Sequence, residues 1–315
     1  MRAEGAAAHG IGKDFRKYWQ IYAFLLLPVI YLAIFAYVPM GGVLIAFKKY
    51  NPNDGILGSP WVGFNYFKKF FSSYQFERVI TNTLRVSIYS LLASFPLPIL
   101  FALVLNTLRD GWFKKTVQTV TYMPHFISMV VLVGMVIRFF NPVNGLYAKI
   151  YALLGFAGQP PDLLASPAAF IHMYVWSGVW QNFGWDSIIY LAALTAVSTE
   201  LHEAAQIDGA TRLRRMIHVD FPAILPTVTI MLILRFGQIM GVGFEKVYLM
   251  QNSLNLRTSE VISTYVYKVG IGAEAGARTD YSYATAIGLF NSAINLVLVA
   301  GVNKLTSKYG ETSLW

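Results

Sequence analysis

The sequence contains no cysteine, which excludes a disulfide framework, a thiolate metal site and a cysteine nucleophile. Charge is scarce: 13% of the 315 residues are Asp, Glu, Lys or Arg, against about a quarter in a soluble globular protein. No G-x-x-x-x-G-K-[ST] phosphate loop is present, so the chain is expected neither to bind nor to hydrolyse ATP alone. No H-E-x-x-H, no G-x-S-x-G and no usefully spaced carboxylate pair points to an enzyme, and no catalytic or metal-ligating residue is assigned. Clear internal repeats and low-complexity tracts are missing too. A cleavable signal peptide is not expected, because the first apolar run is too long for a signal core and has no small-residue cleavage site after it.

What the chain has in abundance is apolar side chains. They make up 56% of the residues and fall in several runs of roughly twenty or more, the length needed to cross a bilayer. The expected fold is all-α: a polytopic membrane protein of about six transmembrane helices, near residues 20–47, 80–108, 117–139, 169–194, 223–250 and 281–302. The formal net charge of +9 fits basic residues at helix ends meeting anionic lipid headgroups, and does not call for nucleic acid. Pro28 and Pro39 should kink or end the first span, and Pro96 and Pro98 should break the second. Such breaks persist in a membrane where protein or a wet cavity satisfies the freed backbone, which favours a transport path over an anchor.

Basic residues set the expected orientation. Arg2, Lys13, Arg16, Lys17, Arg109, Lys114, Lys115, Arg212, Arg214, Arg215, Lys304 and Lys308 lie in segments that share one side; Lys48, Lys49, Lys68, Lys69, Arg78, Lys149, Arg257, Lys268 and Arg278 lie in longer loops on the other. The denser set should face the cytoplasm, with both termini. This divides the chain into a cytoplasmic segment 1–19, a membrane domain 20–302 with a cytoplasmic loop 195–222, and a cytoplasmic tail 303–315. The outer loops near 48–79, 140–168 and 251–280 could present a surface to an external partner but are too short for separate domains.

The loop from Glu203 to Pro222, EAAQIDGATRLRRMIHVDFP, is polar and charged between two apolar segments. Ser198 is placed to cap a helix carrying Glu200 in its first turn. Ala204 and Ala205 are strong helix formers that let a partner approach closely. Asp208-Gly209 reads as a turn, with Gly209 free to take positive φ and end the helix. Asp208 or Thr211 could cap a second helix bearing Arg212, Arg214 and Arg215, and Pro222 suits the first turn of the next span.

The pattern of Glu203, Ala204 and Ala205, then three residues, Gly209, nine residues, and Val219-Asp220-Phe221-Pro222 resembles the cytoplasmic coupling loop of the permease subunits of binding-protein-dependent ABC importers. That family more often has Ile-x-Leu-Pro at the last element. WVGFNYFKKFF at 61–71 is similar to the outer segment before the second span of sugar permeases, and AIGLFNSAINLVLVAGVNKLTSKYGETSLW at 286–315 resembles the C-terminus of the branch that imports oligo- and polysaccharides, aldouronate- and alginate-type systems among them. The resemblance implies a type I importer permease in a bacterial cytoplasmic (inner) membrane. Its implied partners are a second, homologous permease subunit, two ATPase subunits that carry the ATP and Mg, a solute-binding protein outside, the saccharide and the bilayer. Glu203, Ala204, Ala205, Asp208, Gly209 and Arg212 would then contact an ATPase subunit.

Polar residues inside the spans complete the expectations, because charge within hydrocarbon is costly and is paired or functional. Arg85, Arg138 and Lys246 fall near outer span ends, where their stems can snorkel. Arg235 lies about twelve residues into the fifth span, roughly 18 Å from its inner end at 1.5 Å per residue, too deep to snorkel. It is a candidate for the substrate path, or else a partner for an acid such as Asp186 or for a backbone carbonyl; Gln238 shares its face. In the fourth span Trp180, Gln181, Asn182, Trp185 and Asp186 offer the rings and amides that suit sugars, with helix packing as the plainer role. Asn291 and Asn295 share a face with Gly288 and suit helix–helix hydrogen bonds. His125 and His172 are isolated and suit helix packing. If Arg235 lines the path, an acidic saccharide is favoured. The alternative from another class is an ion-coupled secondary transporter of a small polar solute, which needs midplane carboxylates; the spans offer only Asp186 and Glu245.

Overall fold

A computed structural model describes residues 17–272 and 279–309. Arg2, Lys13, Arg16, Arg278 and residues 310–315, used above for orientation and resemblance, lie outside the described residues. Among those described, no strand forms; the single β contact is an isolated antiparallel bridge between Lys48 and Trp61.

Among the described residues, four helical stretches are long and apolar enough to cross a bilayer: Trp19–Phe47, Tyr74–Thr107, Arg212–Phe236 and Tyr281–Lys308. The first begins with α1 (Trp19–Leu32) and continues through a π turn, Ala33–Tyr37, and a 3-10 stretch, Gly41–Phe47. Pro28 sits inside α1 without ending it. Every residue from Lys17 to Gly41 is exposed, whereas the 3-10 stretch packs on the C-terminal helix. After α2 (Asn65–Phe71), the second stretch consists of α3 (Tyr74–Ser94) and α4 (Pro96–Thr107). Phe95 between them keeps helical dihedrals, so Pro96 and Pro98 interrupt the hydrogen-bond ladder without a sharp turn.

Two expected spans are corrected. Residues 117–139 are not one straight helix: α5 (Trp112–Tyr122) runs into a 3-10 turn, Met123–Phe126, and α6 (Met129–Phe139) leaves at 100°. Pro124 cannot donate to the preceding turn, and Ser128 accepts from Val131 N–H to start the new helix. The span expected at 223–250 ends at Phe236. Gly237, Gly241 and Gly243 follow, and α12 (Phe244–Met250) is separate. Gly237 lets the C-terminal helix approach closely there, since a Cβ on it would lie 2.6 Å from Val299 Cγ2 and force that side chain to move.

The helix α7 (Leu146–Leu153) precedes α8 (Pro167–Leu194), which at 28 residues is roughly 42 Å long. It is long enough to cross, but its amides, indoles and Asp186 keep it out of the apolar set. Its surroundings explain this: α8 packs against α3, α4, α5, α12 and α11 (Phe221–Phe236), so its polar groups meet protein. With α8 and the bent pair, the four apolar stretches make up the expected six. The loop helices α9 (Thr199–Ile207) and α10 (Arg212–Arg215) lead through a π turn, Met216–Asp220, into α11. The last helices are α13 (Ile262–Gly270) and α14 (Tyr281–Tyr309).

Cores form around Val86, Phe170 and Val247, around Phe70, Ile262 and Ile287, and around Ile99, Tyr190 and Ile224. One end of the bundle is tied by loop contacts. Asn82 Nδ2 donates to the carbonyls of Arg257 and Glu260 at 2.9 Å each, Arg78 pairs with the buried Glu260 carboxylate, and Ser282 Oγ donates to the Lys48 carbonyl at 2.6 Å. The turn at 108–111 and the α9–α10 loop occupy the other end.

Candidate functional site

Within the bundle, α3, α8 and the end of α11 surround two adjoining cavities that share Ser90, Ser94, Tyr174, Arg235 and Gly243. One, of about 200 Å³, is also lined by Ser87 and Gln238; the other, of about 490 Å³, by Gln181, Asn182, Asp186, Glu245 and Lys246. Arg235, in the last turn of α11, donates from Nη2 to Asp186 Oδ2 at 2.5 Å. The pairing with Asp186 and the exposure to a cavity, alternatives in the sequence, therefore coexist. Formal charge on the lining cancels, Asp186 and Glu245 against Arg235 and Lys246.

The candidates on α8 separate. Asn182 and Asp186 face the larger cavity. Gln181 reaches it too, but its Nε2 donates to the Ile127 carbonyl at 2.9 Å across the α5–α6 bend, and its buried Oε1 has no protein partner. Trp185 stacks on His125 with ring centroids 4.4 Å apart, and the same imidazole meets Asn182 Oδ1 at 2.9 Å. Trp180 belongs elsewhere, lining an apolar cavity of about 570 Å³ with Leu132, Phe139 and Trp176. His172 bonds to Tyr89 at 3.0 Å. The period of the helix places Trp180 about 140° of rotation away, on average, from the cavity-facing Asn182 and Asp186, which spacing in the sequence alone did not resolve.

Lys246 corrects an expectation. It does not snorkel: only 5% exposed, its ammonium donates to the Tyr174 carbonyl at 2.7 Å and lies 4.8 Å from the Tyr174 ring centre. Gly178 makes the notch, since a Cβ there would come within 3.0 Å of Lys246 Nζ. Arg85 and Arg138 are exposed. Asn295 Oδ1 accepts from Met240 N–H at 3.1 Å, bridging α14 to the glycine-rich break. Sequence reasoning did not single out Ser87, Ser90, Ser94 or Tyr174. The three serines were legible as one helical face, at spacings of three and four residues in VSIYSLLAS.

At the other end, α9 and α10 form a knuckle. Ser198 Oγ accepts from Glu200 N–H at 3.2 Å and caps α9. Gly209 has φ +75, Gly209 N–H donates to Gln206 O and Ala210 N–H to Ala205 O, a complete Schellman ending. Thr211, not Asp208, caps α10 by accepting from Arg214 N–H at 3.4 Å. Glu203, Ala204, Asp208, Gly209 and Arg212 are exposed, and Ala205 is half-buried. Ile207 is 87% exposed at the tip, with Leu213 at 60%, so the charged knuckle also carries uncovered apolar side chains. Nearby, the hydrogen bond from Lys114 to Asp110 holds that carboxyl below its usual range. Among the described residues no group of three or more His, Asp or Glu side chains could hold a metal ion.

Residues 94–309 match the family described as binding-protein-dependent transport system inner membrane component. The chain is 42% identical to Protein LplB of Bacillus subtilis over 95% of this chain and 92% of that one. It is 41% identical to the polygalacturonan/rhamnogalacturonan transport system permease protein YteP of the same organism, over 94% and 90%. Among solved structures, it resembles a chain of a bacterial ABC transporter involved in import of the acidic polysaccharide alginate, with 40% identity, a TM-score of 0.85 and coverage of 95% and 98%. A chain of a bacterial alginate ABC transporter in complex with an alginate pentasaccharide-bound periplasmic protein matches with 38% identity, TM-score 0.87 and coverage of 96% and 99%. These findings set aside the ion-coupled alternative. With its helical bundle, its polar cavity and its capped knuckle, the chain belongs to the binding-protein-dependent transport system inner membrane component family: it is a membrane-spanning permease subunit of an ABC importer, whose ATPase is a separate chain.

Proposed function

We propose that this subunit forms half of the translocation path for an oligo- or polysaccharide, an acidic one such as alginate or a pectic fragment. The observation that carries the reading is the near-complete match to permeases named for acidic polysaccharides, at about forty per cent identity, together with a cavity lined by serines, amides and the Arg235–Asp186 pair. Hydroxyls and amides suit sugar hydroxyls. Arg235 can meet a uronate carboxylate by exchanging it for Asp186, since a guanidinium has donors to spare.

In this reading a second permease subunit supplies the other half of the path, and a solute-binding protein delivers the saccharide to the end tied by Asn82 and Ser282. Two ATPase subunits, holding ATP and Mg, meet the knuckle through Glu203, Ala204, Ala205, Asp208, Gly209 and Arg212. The subunit sits in a bacterial inner membrane with both termini and the knuckle in the cytoplasm. The absence of native cysteine makes orientation directly testable: Ile207→Cys should resist a membrane-impermeant maleimide in intact spheroplasts, whereas Asn53→Cys should react. The reverse pattern would overturn the topology.

Substrate class is tested in proteoliposomes holding the whole importer and its binding protein. Uptake of uronate oligosaccharides is expected over neutral ones, and Arg235→Gln should impair the acidic substrate more. Neutral uptake that is lost equally with acidic uptake removes Arg235 as the reader of charge. A wild-type importer that carries no saccharide defeats the proposal.

A further inference from the structure

We propose that Asp220 and His202 form the strut through which the knuckle moves the helix bundle. This rests on the reading of the knuckle as the ATPase-docking surface. The α9 helix is two-sided: Glu203, Gln206 and Ile207 are exposed, while His202 and Ala205 are half-buried toward the bundle. Asp220 is only 2% exposed. Its Oδ1 lies 3.1 Å from His202 Nε2 on α9 and 3.3 Å from Asn106 Nδ2 on α4, both as donors. Asp220 is itself the last residue of the π turn that becomes α11. One carboxylate oxygen thus joins the knuckle, the second apolar span and the start of the helix whose last turn holds Arg235.

Physical chemistry makes that junction stiff. A buried carboxylate is costly unless each lone pair is met, so neither donor can leave without a penalty. Arg215 lines the same cavity, of about 380 Å³, and adds positive charge. The π turn carries an extra residue relative to an α-helical turn, a local irregularity that frequently accompanies functional positions in helices. A pull on α9 therefore reaches α4, which packs along α8, and α11, which carries Arg235 to the polar cavity. His202 and Asp220 are positioning residues: they need touch neither saccharide nor nucleotide.

The test uses the whole importer in proteoliposomes with its binding protein. His202→Ala is expected to cut the stimulation of ATP hydrolysis by saccharide-loaded binding protein about tenfold, while the ATPase subunit still co-purifies. His202→Gln keeps a donor in reach of Asp220 and should recover most of the stimulation. His202→Ala combined with Asp220→Asn should lose no more than the worse single variant, because both act through one contact. The strut is overturned if His202→Ala leaves stimulation intact, if Gln rescues no better than Ala, or if the losses multiply. If His202→Ala instead releases the ATPase subunit, the residue serves docking and not transmission. A wild-type complex that retains no ATPase subunit sinks the docking reading and the strut with it. Should Asp220→Asn fail to assemble, the two His202 variants still decide the matter.

Discussion

Arg235 Nη2 and Asp186 Oδ2 meet at 2.5 Å across the interface between the last turn of α11 and the middle of α8. The side chains are 40% and 24% exposed to the cavity, so water screens the pair but does not dissolve it. Removing one partner leaves a charge facing a low-dielectric wall. Arg235→Gln and Asp186→Asn should each lower unfolding stability in detergent by about 1–2 kcal/mol, and the double variant by less than their sum. Thermal unfolding of the three variants gives the coupling energy; strictly additive losses would mean that the two groups do not stabilise each other.

Gly209 ends α9 at φ +75 with open space where a Cβ would go, so any cost of substitution is backbone strain alone. Gly209→Ala should cost about 1 kcal/mol locally, and Gly209→Asn less, since Asn visits the left-handed region more readily. Tryptic cleavage at Arg212 reports knuckle opening. It should quicken about fivefold for Ala and less for Asn. Equal rates for both variants would show that the Schellman ending does not govern the knuckle.

Gly184 marks the closest approach of α5 to α8: an added Cβ would lie 2.2 Å from the Thr121 carbonyl oxygen. Gly184→Ala must push α5 away and is expected to cost about 1–3 kcal/mol, with a fall in folded yield. Gly288→Ala meets nothing within 4 Å and should stay within about 0.5 kcal/mol of wild type. Melting temperatures that fail to separate these two variants would refute the close crossing.

Asn295 and Asn291 sit one turn apart on α14 but differ in partners. Asn295 Oδ1 accepts from Met240 N–H, whereas the buried Asn291 Oδ1 has no protein partner. Asn295→Leu should therefore cost about 1–3 kcal/mol by orphaning a backbone donor, and Asn291→Leu markedly less. Hydrogen exchange at Met240 should accelerate only in the Asn295 variant; unchanged protection there would remove the bridge from the account.

Much of the fold was legible because bilayer residence is written in composition and short-range order. The apolar runs, the Ser198 cap and the Asp208-Gly209 ending depend on neighbours within a few positions. The bend at Pro124–Ser128 was not read, because a proline in a membrane segment can kink, pass or break a helix according to what packs against it. Pro28 and Pro124 show both results in one chain. Lys246 was misplaced for a related reason. Its depth was inferred from a continuous span, and the glycine break folds α12 back beside Tyr174 instead.

By itself the sequence determined that this protein lives in a membrane as helices and carries a capped, glycine-hinged knuckle, since burial preference and local dihedral limits act residue by residue. The tertiary structure alone decided that Asp186 meets Arg235, 49 positions away, that Asn106 and His202 converge on Asp220, and that Trp180 leaves the polar cavity. Those outcomes depend on how helices cross and rotate against one another, and crossing is set by packing between distant segments, which no local pattern encodes.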